Sequence, residues 1–268
     1  MILVNGALGG SIAADDRGLS YGDGLFETVL LVNDRAPLWS RHMARLAEGC
    51  ARLLLPAPDV EQLARETAQA GAGLARVVVR ITLTRGAGPR GYAMPDPART
   101  TRIVAASPAP MTPPDWYYSG VRVRLCALRL GQQPRLAGIK HLNRLEQVLA
   151  RAEWNAADIA EGILCDAGAR VIGATAANLF AVIGGRLLTP ALDRCGVAGV
   201  ARAEVLAHRP DCAVRDLTMT ELMQADEVFL TNSVRGILPV TALDDRRWPI
   251  GPVARALQAH WRALGLEE

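Results

Sequence analysis

Hydrophobic and polar positions recur along this chain with two different periods, which predict a mixture of strands and helices. Continuous or alternating runs rich in valine, isoleucine and threonine predict strands, and apolar residues three or four apart predict helices. The predicted strands are 25–32, 76–84, 101–106, 121–128, 162–165, 178–183, 186–188 and 226–231, and the predicted helices are 40–55, 59–70, one directly after residue 140 that carries Leu142, Leu145, Leu149 and Ala152 on one face, 199–207, 220–224 and 252–264. Because these elements do not follow a strict strand–helix–strand order, the predicted fold class is α+β.

A proline-rich stretch divides this pattern in two. Four of the eight residues from 107 to 114 are prolines, which lack a backbone N–H and favour an extended linker. The sequence therefore predicts a smaller α/β domain over residues 1–110, a linker over 111–115 and a larger domain over 116–268.

The overall composition excludes several classes of function. The 268 residues carry a net charge of +3, and the basic residues are scattered, so no nucleic-acid-binding stripe is predicted. No apolar run reaches the roughly 20 residues that a membrane span needs, and the N-terminus does not resemble a signal peptide. The five cysteines are widely spaced and form no CxxC pair. We therefore predict a reduced, cytoplasmic protein with no metal site, no nucleic-acid partner and no membrane segment.

Lys140 is the only lysine in a chain with 30 lysines and arginines, so the other 29 are arginines. An arginine guanidinium stays protonated, whereas a lysine amine can lose its proton and form a Schiff base with a carbonyl or with pyridoxal 5'-phosphate (PLP). Composition alone leaves chance and function equally open for this residue, and the residues around it decide.

Two segments have the character of a phosphate site. Small residues precede a predicted helix at 195–202, where free N–H groups and the helix dipole favour an anion, and a strand ends in the turn Thr231-Asn232-Ser233. Such segments are more often ordinary caps, so each remains a candidate only. The chain has no GxSxG elbow and no phosphate-binding GxxxxGK[ST] loop.

The segment AGIKHLNRLEQVLA at residues 137–150 closely resembles the cofactor-lysine segment of aminodeoxychorismate lyases. Those lyases belong, with branched-chain and D-amino-acid aminotransferases, to the class IV aminotransferase-like PLP enzymes. Four further blocks are similar to the same family and keep its order: YGDGLFET at 21–28, HMARL at 42–46, RGAGPRGY at 85–92 and ANLF at 177–180. The resemblance implies the two-domain D-amino-acid aminotransferase-like PLP fold, with the larger domain binding PLP.

The same resemblance implies an activity and a set of site residues. The activity is conversion of 4-amino-4-deoxychorismate to 4-aminobenzoate and pyruvate in folate biosynthesis, by a homodimer. Lys140 would bind PLP and shuttle protons, with Thr28 near the reacting atoms. The residues implied to hold the phosphate are Arg45, Val200, Ala201 and Ser233, and those implied to line the substrate pocket are Phe26, Arg90, Tyr92, Asn232 and Arg235. Either Arg90 or Arg235 would pair with a substrate carboxylate.

One position departs from the family pattern. The family places an acidic residue, which pairs with the pyridine nitrogen of PLP, five positions before the asparagine of the N-L-F strand. Here that position is Gly173, and water or the Thr175 hydroxyl is the expected substitute. Losing the carboxylate weakens the ring as an electron sink, so weak transaminase activity is expected. The alternatives are an aminotransferase of the same fold, or a non-catalytic relative.

Overall fold

The computed structural model describes residues 1–266 and divides them into two compact units. The first unit comprises residues 1–110 together with 139–143, and the second comprises 111–138 together with the chain from 144 onward. Lys140 therefore belongs to the first unit, although it follows the proline-rich segment in the sequence.

The first unit is a five-stranded sheet with helices packed against it. Its elements are β1 (Ile2–Val4), β2 (Ala7–Leu8), α1 (Arg17–Tyr21), β3 (Gly24–Val32), α2 (Trp39–Leu53), α3 (Val60–Gly71), β4 (Arg76–Thr84) and β5 (Thr101–Pro108). The strand order is β2-β1-β5-β4-β3, which leaves β3 at one edge of the sheet. Helix α2 buries Met43, Leu46 and Cys50, whose spacing of three or four residues places them on one face.

The second unit is built around a larger sheet of parallel and antiparallel pairs. Its elements are α4 (Asp115–Tyr118), β6 (Val121–Leu130), α5 (Leu145–Arg151), β7 (Ile159–Asp166), β8 (Val171–Ala174), β9 (Asn178–Ile183), β10 (Arg186–Pro190), α6 (Val200–His208), β11 (Ala213–Arg215), α7 (Met219–Met223), β12 (Glu227–Asn232), β13 (Gly236–Leu243), β14 (Arg246–Arg247) and α8 (Pro252–Ala263). The order is β11-β10-β9-β12-β13-β6-β7-β8, with β14 paired to β13. None of the helices within residues 1–266 has both the length and the apolar character that a bilayer crossing requires.

One predicted helix begins later in the structure than expected, and one short helix was not predicted. The helix predicted to follow Lys140 begins only at Leu145, because the backbone of Leu142 pairs instead with Gly24. The short helix α1 has no counterpart among the predicted elements, and Asp16 caps it by accepting a hydrogen bond from the backbone N–H of Gly18.

Candidate active site

The lysine segment lies along the free edge of β3. The N–H of Phe26 donates to the carbonyl of Lys140 at 3.0 Å, and the N–H of Leu142 donates to the carbonyl of Gly24 at 3.0 Å. Gly22 has φ +65°, and a Cβ there would lie 2.3 Å from the Asn143 side chain, so this turn requires glycine. The backbone pairing fixes Lys140 beside the first residues of β3.

The Lys140 amine lies over an aromatic ring. Its Nζ is 4.3 Å from the Phe26 ring centroid, and the Arg80 guanidinium carbon is 4.0 Å from the same centroid. Thr28 is directly opposite Arg80 in the β3–β4 register, and Phe26 is opposite Thr82, so all four side chains share one face of the sheet. An amine, an aromatic wall, a hydroxyl and a guanidinium thus meet on this face.

Arg45 projects from α2 into a buried network with Glu27 and His42. Its Nε donates to Glu27 at 2.8 Å and its Nη2 donates to the second oxygen of that carboxylate, which also lies 2.6 Å from His42 Nδ1. Glu27 follows Phe26 in β3, so its side chain leaves the opposite face of the strand. The structure therefore anchors Arg45 through Glu27, and its role as a phosphate ligand remains a prediction.

The network perturbs both titratable partners. Burial alone would raise the pKa of Glu27, but hydrogen bonds from His42 and Arg45 and their charges lower it below its ordinary value. Burial lowers the pKa of His42. The positive charges of Arg45 and Lys140 lower it further, whereas the hydrogen bond and charge of Glu27 raise it. Within residues 1–266, His42 Nε2 is buried without a hydrogen-bond partner. The Glu27 carboxylate therefore holds the Arg45 guanidinium and the His42 imidazole.

The glycine-rich loop holds two predicted pocket residues at the surface. Tyr92 is 87% exposed and packs beside Tyr21 with the ring centroids 5.6 Å apart, and Arg90 is also exposed. The Arg17 guanidinium contacts this loop by donating a hydrogen bond to the carbonyl of Gly91 at 2.9 Å. The structure does not bring Arg90 and Tyr92 into the group around Lys140.

In the second unit, α6 begins with an arrangement suited to an anion. Gly199 precedes the helix, and its N–H donates to Asn178 Oδ1 at 3.0 Å; a Cβ at this glycine would lie 2.1 Å from that oxygen. Val200 and Ala201 are buried, and in the described part of the chain no side chain caps this helix start. The first N–H groups of a helix lack intrahelical acceptors, so these two fit a phosphate.

The turn after β12 organises three further predicted residues. Asn232 Oδ1 accepts hydrogen bonds from the N–H groups of Val234 and Arg235 at 3.0 and 2.7 Å, which closes the turn around Ser233. The Arg235 guanidinium lies 3.3 Å from the buried carboxylate of Glu161, so it already has an anionic partner. Arg235 is therefore a weaker candidate for a substrate carboxylate than the sequence indicated.

Sequence reasoning missed Arg80 and Glu161. The signal for Arg80 was a charged residue inside the apolar strand 76–84. In the structure its side chain lies on the same face of the sheet as Phe26 of the neighbouring strand β3. The signal for Glu161 was a carboxylate at the start of an apolar strand, which is rarely buried without a partner. Neither signal identifies a partner without the strand register.

The groups found in each unit are of the kinds that PLP requires. In the first unit, one primary amine lies against an aromatic ring. In the second unit, taken by itself, a helix start that no described side chain caps offers backbone N–H groups to an anion. Both are chemical groups that a phosphorylated aldehyde requires.

Comparisons with known proteins identify the family. A sequence model described as amino-transferase class IV matches residues 24–243. Aminodeoxychorismate lyase of Vibrio harveyi is 34% identical over 268 residues, which cover 97% of this chain and 99% of that protein. The solved structure of 4-amino-4-deoxychorismate lyase from Pseudomonas aeruginosa is similar with a TM-score of 0.94 and 48% identity, covering 98% of each chain. D-alanine aminotransferase of Listeria monocytogenes is 28% identical and covers 87% of this chain and 83% of that protein.

These matches establish that the chain belongs to the class IV aminotransferase family. The predicted resemblance and the predicted α+β fold of that family are therefore confirmed.

Proposed function

We propose that this chain is a PLP-dependent lyase that converts 4-amino-4-deoxychorismate to 4-aminobenzoate and pyruvate, a step of folate biosynthesis. The observation that carries the proposal is the sole lysine, held over Phe26 beside Thr28 and Arg80. The likeness to aminodeoxychorismate lyases over nearly the whole chain supports a lyase rather than an aminotransferase. The substrate is a small molecule.

In the proposed reaction, Lys140 acts as the base and Phe26 supports it. When bound, PLP supplies an electron sink that acidifies the substrate carbon next to the amine nitrogen. The Lys140 amine removes the proton from that carbon, and the bond between the ring and the enolpyruvyl oxygen breaks. The enolpyruvyl group takes up a proton and becomes pyruvate, and the ring is left aromatic. Phe26 stabilises the ammonium form of Lys140 through its ring face. A well-placed base of this kind accelerates proton transfer by about 10²–10⁴-fold.

Five of the other predicted residues position the two ligands. Arg45, the N–H groups of Val200 and Ala201, and the Ser233 hydroxyl hold the phosphate in this proposal. Thr28 lies beside Arg80 on the face under the lysine, where a hydroxyl can orient the substrate.

The test is to mix PLP-loaded protein with 4-amino-4-deoxychorismate and to measure 4-aminobenzoate and pyruvate together. We expect the two products to appear in equal amounts, with little transamination of D-alanine or branched-chain amino acids. Transamination at the same rate as lysis would instead favour the aminotransferase, and no turnover of either substrate class by well-folded holoprotein would favour the non-catalytic relative.

Arg80 is our candidate for the residue that binds a substrate carboxylate. Replacing Arg80 by leucine removes a charged hydrogen-bond donor beside Phe26, so KM should rise about 10- to 100-fold while kcat changes much less. Steady-state kinetics with Arg80→Lys and Arg80→Leu measures the effect. Arg65→Leu, an exposed arginine of α3, serves as the control, and an unchanged KM in Arg80→Leu would contradict the assignment.

We also propose that the protein is a cytoplasmic homodimer. Helix α5 carries Leu145, Val148 and Leu149 at positions i, i+3 and i+4, and they are 75%, 60% and 61% exposed. An apolar helix face of this kind is typical of an association surface, and a second copy of the chain would cover it. Five free cysteines, four of them buried, support a reducing compartment.

Sedimentation tests the dimer. The wild type should sediment as a dimer, and the double variant Val148→Glu with Leu149→Glu should sediment as a monomer, because charges on this face oppose its burial. Val60→Glu, at a partly exposed position on α3, is the matched control. A double variant that remains dimeric would place the interface elsewhere.

A further inference from the structure

Gly173 lies where the local backbone leaves no room for a side chain. It pairs with Leu164 across β7 and β8, and a Cβ at this position would lie 2.9 Å from the carbonyl oxygen of Ala177. That same carbonyl accepts a hydrogen bond from the N–H of Ala174 at 2.8 Å, which closes the tight turn between β8 and β9. An acidic side chain at position 173 would therefore require this turn to move.

A buried carboxylate lies next to the same turn. Glu161 of β7 is buried and accepts hydrogen bonds from the Thr175 hydroxyl and from the backbone N–H of Ala176. Arg235 lies 3.3 Å from its other oxygen. Thr175 is only partly buried and follows Gly173 by two residues. The turn that excludes an acid at Gly173 is thus bound by an acid from the neighbouring strand.

We propose that Glu161, acting through the Thr175 hydroxyl, supplies the negative charge at the PLP ring nitrogen that position 173 supplies in the family pattern. The inference rests on the proposed function, since it requires bound PLP. It makes Thr175 the group that contacts the cofactor and Glu161 a positioning residue behind it.

The hydrogen-bond chemistry allows this relay. A threonine hydroxyl has one donor and two acceptor lone pairs, so Thr175 can donate to Glu161 and still accept from a protonated ring nitrogen. In a buried chain of this kind each hydrogen bond polarises the next. Burial raises the pKa of Glu161 against the opposing effects of Thr175 and Arg235. A further cation nearby would favour its ionised form, so a protonated ring and an ionised Glu161 stabilise each other.

The test reads the protonation of the ring nitrogen directly. Holoenzyme is prepared with PLP labelled with ¹⁵N in the ring, and the ¹⁵N chemical shift is compared among the wild type, Glu161→Gln, Thr175→Val and Thr175→Ser. We expect a protonated nitrogen in the wild type and in Thr175→Ser, and a shift towards the unprotonated position in Glu161→Gln and Thr175→Val. Lyase turnover should fall about 10- to 100-fold in the same two variants.

Glu227→Gln is the matched control. Glu227 is another buried glutamate of the second unit, and burial raises its pKa too, but it accepts from the backbone N–H groups of Val253 and Ala254. This variant should leave the ¹⁵N shift unchanged. If Glu161→Gln fails to fold, Thr175→Val still decides the question.

The outcomes separate this inference from the proposed function. A wild type that forms both products but has an unprotonated ring nitrogen overturns the relay alone. An unchanged ¹⁵N shift in a folded Glu161→Gln variant, or in Thr175→Val, would also overturn the relay but not the proposed function. A wild type that does not bind PLP, or binds it and forms no product, overturns the proposed function and the relay with it.

Discussion

Replacement of Lys140 by alanine should lower the rate of 4-aminobenzoate formation by about 10²–10⁴-fold, which is the usual contribution of a well-placed general base. The effect should be near the upper end, because the chain has no second lysine that could take over the role. The measurement is the initial rate of 4-aminobenzoate and pyruvate formation by wild type and variant, each loaded with excess PLP.

Lys140→Arg is the matched control for charge. It retains a cation near Phe26, but a guanidinium neither gives up its proton at neutral pH nor forms an imine. We therefore expect it to be as inactive as Lys140→Ala, which would separate the chemistry of the amine from its charge. Activity within tenfold of the wild type in either variant would remove Lys140 from the mechanism.

The single lysine also makes covalent attachment easy to locate. Borohydride reduction of the holoenzyme should add one pyridoxyl group, and peptide mass spectrometry should place it on Lys140, the one lysine of this sequence. The same treatment of Lys140→Ala should leave that peptide region unmodified.

Local patterns were sufficient for several of the long elements of the fold, although strand β13 was not predicted. Strand β4 was predicted at its exact bounds because Val77, Val79 and Ile81 alternate with residues of the other face. Helix α2 was predicted to within two residues because its buried residues keep helical spacing and Pro56 follows. In contrast, Leu142 has the spacing of the next helix but pairs with Gly24, and this contact spans more than a hundred residues. Periodicity carries no information about such a pairing.

The site was predictable as chemistry but not as geometry. A single lysine among 29 arginines indicates that its amine has a chemical role, and the motif around it indicates that PLP is the cofactor. The partners of the other charges depend on strand register and helix packing, which bring Glu27 to Arg45 and Glu161 to Thr175. The same register places Arg80 opposite Thr28. Non-local contacts of this kind cannot be read from a single sequence.

Replacement of Glu27 by glutamine should lower the free energy of unfolding by about 3–5 kcal/mol, because it removes the negative charge that binds the largely buried guanidinium of Arg45. Urea titration of the apoprotein measures the change. The control is Glu66→Gln, which breaks another largely buried ion pair of the first unit, with Arg102 at 2.6 Å. It should also destabilise the unit, but it should leave the affinity for PLP nearly unchanged, whereas Glu27→Gln should weaken PLP binding through Arg45.

The same variant should change how stability depends on pH. The folded-state pKa of His42 lies below its ordinary 6.5, so the unfolded chain takes up the proton first and stability falls as the pH drops below about 6.5. The folded-state pKa of Glu27 lies below its ordinary 4.5, so its stabilising contribution is complete above that pH and is lost as the pH falls through the folded value. Glu27→Gln should therefore keep the loss of stability below about pH 6.5 that is due to His42. It should remove the loss of stability below pH 4.5 that is due to Glu27. If wild type and variant lose stability in parallel below pH 4.5, the carboxylate of Glu27 is not the group that stabilises Arg45.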